Sequence, residues 1–252
     1  MILTRVQPGP PQVLDCESRD ARAQLLEWYR PPELDWLRLN LVASINGSAA
    51  GNDGTSNSIT TAMHRRILGV IRELSDVVLV GAASVRSEGY QIPKHARLAV
   101  VTSTGDLDGH RIDPEAGDRL IVVCPTTVAS IVRAQFPDAQ ILCPANTEAP
   151  HWMGAAEIVA VLRNNGFASI VCEGGPSLAS QLVSAGLAHE LCLTTSPLVT
   201  SARLPLFGTA HPPGSPNDHS LVLDQLLIDE SSSLYARWSF TRQGAAVQPA
   251  MT

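Results

Sequence analysis

ASIVCEGGPSLASQLVSAG, residues 168–186, is an apolar run that ends in two glycines and passes straight into an amphipathic segment. ASIVCEGG (168–175) reads as a buried strand, and PSLASQLVSAG (176–186) as a helix with Pro176 in its first turn and Gly186 just past its end. Strand, glycine turn and helix make the repeating unit of an α/β sheet with parallel strands. Upstream, DVVLVG (76–81) is another apolar, glycine-ended run, and it feeds AASVR. RLAVVT (97–102), RLIVVC (119–124) and AQILC (139–143) are further short strands, with TTVASIVRAQF (126–136) and AAEIVAVLRNNGF (155–167) as helices among them. The first strand is LRLNLVASI (37–45), closed by Asn46-Gly47. After the polar loop GSAAGNDGTSNS (47–58), Met63, Ile67, Val70, Ile71 and Leu74 fall at helical spacing, with Thr60 as the expected N-cap. After ELCLTTSP (190–197), LVLDQLLIDE (221–230) and SLYARWSF (233–240) alternate loosely, lack helical period and read as a terminal hairpin or antiparallel pair.

The expected organisation is one domain over residues 37–242, preceded by an N-terminal arm (1–36) and followed by a tail (243–252). The arm holds a short helix, Asp20 to Tyr29, between PGPP and RPPE, and GTAHPPGSPNDH (208–219) reads as an insertional loop. At 252 residues, 44% hydrophobic and 17% charged, the composition is that of a globular protein able to bury a sizeable core. The net charge of −6 argues against a sequence-blind nucleic-acid binder, and no apolar run reaches the roughly 20 residues of a membrane span. MILTRVQPGPPQ has no signal-peptide pattern, so a cytoplasmic location is expected. Five cysteines without CxxC read as reduced core residues, and seven scattered histidines without an i, i+4 pair leave no expected metal site. Lys94, the only lysine, lies outside any glycine-rich phosphate loop.

Open α/β sheets bind ligands at the C-terminal ends of their strands, where glycine turns let a phosphate approach backbone N–H groups. VLVGAASVR (78–86) and IVCEGGPSL (170–178) are two such junctions, and the polar loop after the first strand supplies a third side. Neither is GxGxxG, so a standard Rossmann site is not supported. His64-Arg65-Arg66 either steers a phosphorylated substrate or forms a solvated helix face.

Four blocks now stand in order: SINGSAAGNDGTSNSIT (44–60), RELSDVVLVGAASVRSEGY (72–90), IVCEGGPSLASQL (170–182) and HELCLTTSPLV (189–199). Over about residues 36 to 240 the chain resembles the C-terminal reductase domain of the bifunctional bacterial riboflavin-biosynthesis deaminase/reductase. That resemblance implies a dihydrofolate-reductase-like three-layer α/β fold, with a mostly parallel central sheet and antiparallel C-terminal strands. It also implies NADPH as cofactor, a homodimer, and reduction of 5-amino-6-(5-phosphoribosylamino)uracil. The deaminase signature is absent, so a stand-alone reductase is expected.

Position by position, the resemblance places Asn46, Ser56, Arg72 and Glu173 at the substrate, with Arg72 either at its phosphate or a plain helix-end cation. Ala50, Ser58, Gly81, Ala82, Ser84, Val85, Arg86 and Glu88 fall on the cofactor side. So do Gly174, Gly175, Pro176, Ser177 and Leu178 at the pyrophosphate turn, and Thr102 and Ser103 toward the adenosine 2′-phosphate. Arg86 either holds a phosphate or pairs with Glu88. No residue stands out as a catalytic acid or base. The chain departs from the family pattern at Asn46, which replaces a carboxylate, at SEGY (87–90), which replaces DDP, and at Ser58, which replaces an aromatic. Two other readings stay open: a dihydrofolate or pterin reductase on the same fold, and a nucleotide-binding protein without catalysis.

Overall fold

The apolar runs become strands because each can bury both faces between helices. In the computed structural model, which describes residues 1–145, 153–208 and 218–241, they are β3 (Trp36–Ser44), β4 (Val77–Gly81), β5 (Arg97–Val101), β6 (Leu120–Val123), β7 (Gln140–Leu142), β8 (Ser169–Gly174) and β9 (Glu190–Ser196). All seven are parallel to their neighbours, in the order β9-β3-β8-β4-β5-β6-β7. Alternate residues go to opposite faces. Val78 and Val80 of β4 join one apolar cluster, and Val77 and Leu79 join the other.

Helices cover both faces. α1 (Ala21–Tyr29), α2 (Ala62–Glu73), α3 (Ala82–Glu88) and α4 (Ala129–Gln135) contribute to the first cluster, and α5 (Ala155–Asn164) and α6 (Pro176–Ser184) to the second. On α2, Met63, Ile67, Val70 and Ile71 are each at most 3% exposed, which stabilises the layer by about 1.5–3 kcal/mol per side chain. The fold is therefore α/β, with a mostly parallel central sheet and antiparallel strands at its C-terminal side.

The antiparallel part is larger than the sequence indicates. β10 (Leu221–Asp229) and β11 (Leu234–Phe240) form the expected hairpin, and β11 pairs with β9. β1 (Ile2–Gln7) and β2 (Gln12–Asp15), from the segment read as an arm, extend the sheet beyond β10. The arm is thus part of an 11-stranded sheet, and its Leu3 is fully buried. The expected helix in this segment is present as α1.

Two local expectations are corrected. The N-cap of α2 is Thr61, whose hydroxyl accepts from the His64 amide at 3.0 Å. Thr60 instead donates to the Ser56 carbonyl at 2.7 Å. The 126–136 segment starts as a 3-10 turn, Thr126–Val128, before α4. The bulk of the expected 208–219 loop and the tail lie outside the described residues. All five cysteines are free, and Cys16, Cys124, Cys172 and Cys192 are buried. Burial pushes the thiols of Cys172 and Cys192 up to about 12, so they stay protonated and act as packing. Among the described residues no helix is long and apolar enough to cross a membrane.

Candidate functional site

β4 and β8 are neighbours in the sheet, so their glycine ends lie side by side. Gly174 and Gly175 have φ of +139° and +56°, conformations that L side chains rarely adopt. A Cβ built on Gly175 would stand 3.3 Å from the hydroxyl oxygen of Ser84 on α3, so the two turns touch. No side chain caps the start of α6, which leaves the first amides of that helix without a side-chain acceptor. This is a cradle that fits a phosphate or pyrophosphate.

The cradle opens on a cleft of about 420 Å³. Its walls are one face of α2 (Arg65, Leu68, Gly69, Arg72), α3 and its C-terminal end (Ser84, Glu88, Gly89, Tyr90), the β8–α6 turn (Glu173 to Pro176), Asn40 on β3, and Leu204 and Leu206 after β9. The α2 residues recur at i, i+3, i+4 and i+7, the spacing that aligns one stripe of a helix.

Two carboxylates bind the walls together. Arg72 meets Glu173 in a bidentate pair, Nε to Oε1 at 2.7 Å and Nη2 to Oε2 at 2.6 Å. Burial works against the Arg72 charge, but the hydrogen bonds and charge of Glu173 outweigh it and hold the guanidinium pKa above its ordinary value. Glu88 accepts from the Ser56 amide and hydroxyl, both at 2.9 Å, and so ties the loop after β3 to α3. Burial, and then the nearby Glu173 carboxylate, push the Tyr90 phenol well above its usual value, so Tyr90 is a protonated hydrogen-bond donor.

The structure thus brings together Ser56, Arg72, Ser84, Glu88, Glu173, Gly174, Gly175 and Pro176 around one cleft. Gly81, Ala82 and Val85 support it from the β4–α3 turn, with Val85 fully buried. Ser177 is exposed beside the cradle, and Leu178 is buried beneath it.

Several expected site residues do other work. The Asn46 amide donates to the Thr200 carbonyl at 2.9 Å, and its oxygen accepts from the Thr200 amide at 3.1 Å and the Ser44 hydroxyl at 2.9 Å. It pins two loops together and does not line the cleft. Ser58 is exposed and donates to Asp53 at 2.6 Å, and Ala50 is buried, so neither faces the cleft. Arg86 does not pair with Glu88; it donates to the Asp106 carbonyl at 2.8 Å. The hydroxyl oxygen of Thr102 accepts from Gly105 N at 3.0 Å and closes its own turn, and neither it nor Ser103 reaches this cleft.

Of the three basic residues that open α2, only Arg65 is solvated. Arg65 lines the cleft, and its guanidinium has no hydrogen bond or ion pair among the described residues. Arg66 donates to the Cys16 carbonyl and pairs with Glu17. His64 is buried, with Nδ1 at 2.8 Å from the Thr194 hydroxyl. Asn40, Tyr90, Leu204 and Leu206 are cleft residues that the sequence reading missed as site residues. Asn40 carries a visible signal: a carboxamide in the middle of the apolar strand LRLNLV.

The family model described as the RibD C-terminal domain matches residues 35–220 of this chain. A curated relative, the riboflavin biosynthesis protein RibD of Chlamydia pneumoniae, is 24% identical over 219 residues, 80% of this chain and 57% of the relative. The chain therefore spans little more than half of that relative's length. Among solved structures, a pyrimidine reductase-like protein from Corynebacterium diphtheriae superposes with a TM-score of 0.72 at 20% identity, covering 88% of this chain and 99% of that one. The Thermotoga maritima diaminohydroxyphosphoribosylaminopyrimidine deaminase/5-amino-6-(5-phosphoribosylamino)uracil reductase follows at 0.62 and 19%, covering 85% and 58%. At these identities the structures share a fold with this chain.

Proposed function

This chain belongs to the RibD C-terminal domain family, and we propose that it is an NADPH-dependent cytoplasmic reductase of 5-amino-6-(5-phosphoribosylamino)uracil or a closely related pyrimidine. The observation that carries the reading is the contact of two glycine turns, β4–α3 and β8–α6, at the mouth of a single cleft. In this reading the pyrophosphate lies on the Gly174–Leu178 turn and the start of α6, with the Ser84 hydroxyl beside it. When bound, the nicotinamide supplies a hydride to the imine carbon of the ring-opened ribosylamine.

This chain's own residues position the partners. Ser56 and Glu88 hold the loop after β3 against α3, and the Arg72–Glu173 pair fixes α2 against β8. Arg72 already commits two of its donors to Glu173, whereas Arg65, two turns away on the same stripe of α2, carries no ion pair among the described residues, so the substrate phosphate is assigned to Arg65. Holding donor and acceptor at near-attack distance accounts for much of such a rate without an acid–base dyad. A homodimer is part of the same proposal, supported by the exposed Leu198 and Val199 at 40% and 72% exposure.

Titration of NADPH and NADH into the purified protein, followed by NADPH oxidation with 5-amino-6-(5-phosphoribosylamino)uracil, tests the reading. Saturable NADPH binding with oxidation is expected. Turnover of dihydrofolate alone would replace the substrate, and binding without turnover of either would leave a nucleotide-binding protein. Arg65→Ala is expected to raise KM for the phosphorylated substrate about tenfold with kcat little changed, since a charged hydrogen bond is worth about 1.5–3 kcal/mol. An unchanged KM would remove Arg65 from the phosphate site.

A further inference from the structure

Two buried polar side chains of the cleft have unused hydrogen-bonding capacity. Asn40 is 6% exposed and stands between Leu39 and Leu41 in β3, yet its carboxamide bonds to no described residue. His64 is 5% exposed, with Nδ1 on the Thr194 hydroxyl and no partner for Nε2 among the described residues. The β3–β9 register sets Asn40 opposite Cys192 and Val42 opposite Thr194, so Asn40 and Thr194 stand on the same sheet face. α2 lays His64 onto that face. Together they form a polar floor under a cleft whose walls are otherwise tied in ion pairs and loop contacts.

The Asn40 side-chain nitrogen and oxygen are not among the enclosed unpaired polar atoms; they open on the cleft, where a ligand can meet them. A carboxamide offers an acceptor and a donor side by side in one plane. Its complement is another planar group with N–H next to C=O. Burial first, and then the charges of Arg65 and Arg72, hold the His64 imidazole down at a pKa of about 4, so this floor is uncharged near neutral pH.

We infer that Asn40, flanked by His64, determines the ligand of this cleft by reading the lactam edge, an adjacent N–H and C=O, of a neutral heterocycle. The inference rests on the cleft being the substrate site of the proposed reductase and names the part of the substrate that is read. Pyrimidinediones and pterins both carry such an edge.

The test is calorimetric binding to the full chain, alone and with NADP+, of 5,6-diaminouracil, its 1,3-dimethyl derivative (whose ring N–H groups are blocked) and pterin. Wild-type protein is expected to bind 5,6-diaminouracil or pterin about thirtyfold more tightly than the dimethyl compound, the effect of two hydrogen bonds. The one preferred identifies the source of the edge. Asn40→Leu, similar in size, is expected to abolish the preference and to melt close to the wild-type temperature, because the Asn40 carboxamide bonds to no other described residue. Asn40→Asp, which lacks the donor, is expected to lose the preference as well and covers the case of a leucine variant that does not fold. A wild-type protein indifferent to ring methylation, a preference that survives both substitutions, or a leucine variant that melts well below wild type would overturn the inference. Asn40-dependent binding without NADPH oxidation would defeat the reductase reading while this inference stands.

Discussion

Glu190→Gln is expected to lower the unfolding free energy by about 3–5 kcal/mol, because it removes the buried carboxylate shared by the buried Arg38 and the part-buried Arg237 guanidiniums. Glu190 is fully buried at the start of β9, with Arg38 of β3 on one side and Arg237 of β11 on the other. The Trp36 indole N–H also donates to it at 3.2 Å, and Arg38 continues to the Tyr29 carbonyl at 2.8 Å. A glutamine keeps the shape but leaves two cations facing a dipole. Burial alone would raise the Glu190 carboxyl, but Arg38 and Arg237 outweigh it and hold its pKa below the ordinary 4.5. A depressed carboxylate contributes stability that is complete above the unfolded-state value and is lost as pH falls through the folded one. Urea unfolding at several pH values checks both points: wild type should lose stability below about pH 4.5, and the variant should lack that part of the acid slope. A loss under about 1 kcal/mol would mean that the triad is no more than a surface-like pair.

The second large effect is on nucleotide binding. Gly175→Val puts a β-branched side chain at φ +56° with its Cβ 3.3 Å from the Ser84 hydroxyl oxygen. The backbone term alone is about 1–2 kcal/mol, and the new side chain occupies the place where the two turns meet. NADPH affinity is expected to fall about a hundredfold, with a modest loss of thermal stability. Gly186→Ala, also at positive φ but at the far end of α6 with open space around its Cβ, is the control and should bind normally. If the valine variant binds NADPH like wild type, the pyrophosphate does not lie on this turn.

The parallel half of the sheet was readable because its strands are buried on both faces, so apolar runs such as VVLVG and LIVV admit no other reading. The N-terminal strands were not. ILTRVQ and QVLD are short and partly exposed, interrupted by proline and glycine, and acquire strand character only by pairing with β10. Contacts with a segment at the other end of the chain leave no local trace.

The same contrast holds in the site. Glycines and charged residues near strand ends could be placed because the turn geometry demands them, and Ser84, Glu88, Glu173 and Gly175 all line one cleft. Asn46 and Ser58 sit within a polar loop whose side chains bond mostly to each other and to the loop after β9, and residue type does not say which way such a side chain turns. Asn40 was passed over inside a good strand pattern, where a lone polar residue in a buried run was itself the signal.

The β1–β10 pairing also has a meaning in time. Leu3 lies opposite Asp229, and the Ile2 amide donates to the Glu230 carboxylate at 2.8 Å. A ribosome makes β1 more than 200 residues before its partner β10, at about 5–20 residues per second. For about ten to forty seconds β1 therefore has β2 as its sheet partner, and the edge that β10 will cover stays open. The parallel strands β4 to β7 can assemble meanwhile, each beside the strand before it, whereas β3 waits for β8 and β9. β1 is then completed in the sheet only after β10 emerges, and that interval is when a nascent chain of this protein is most exposed to chaperones and to its own neighbours.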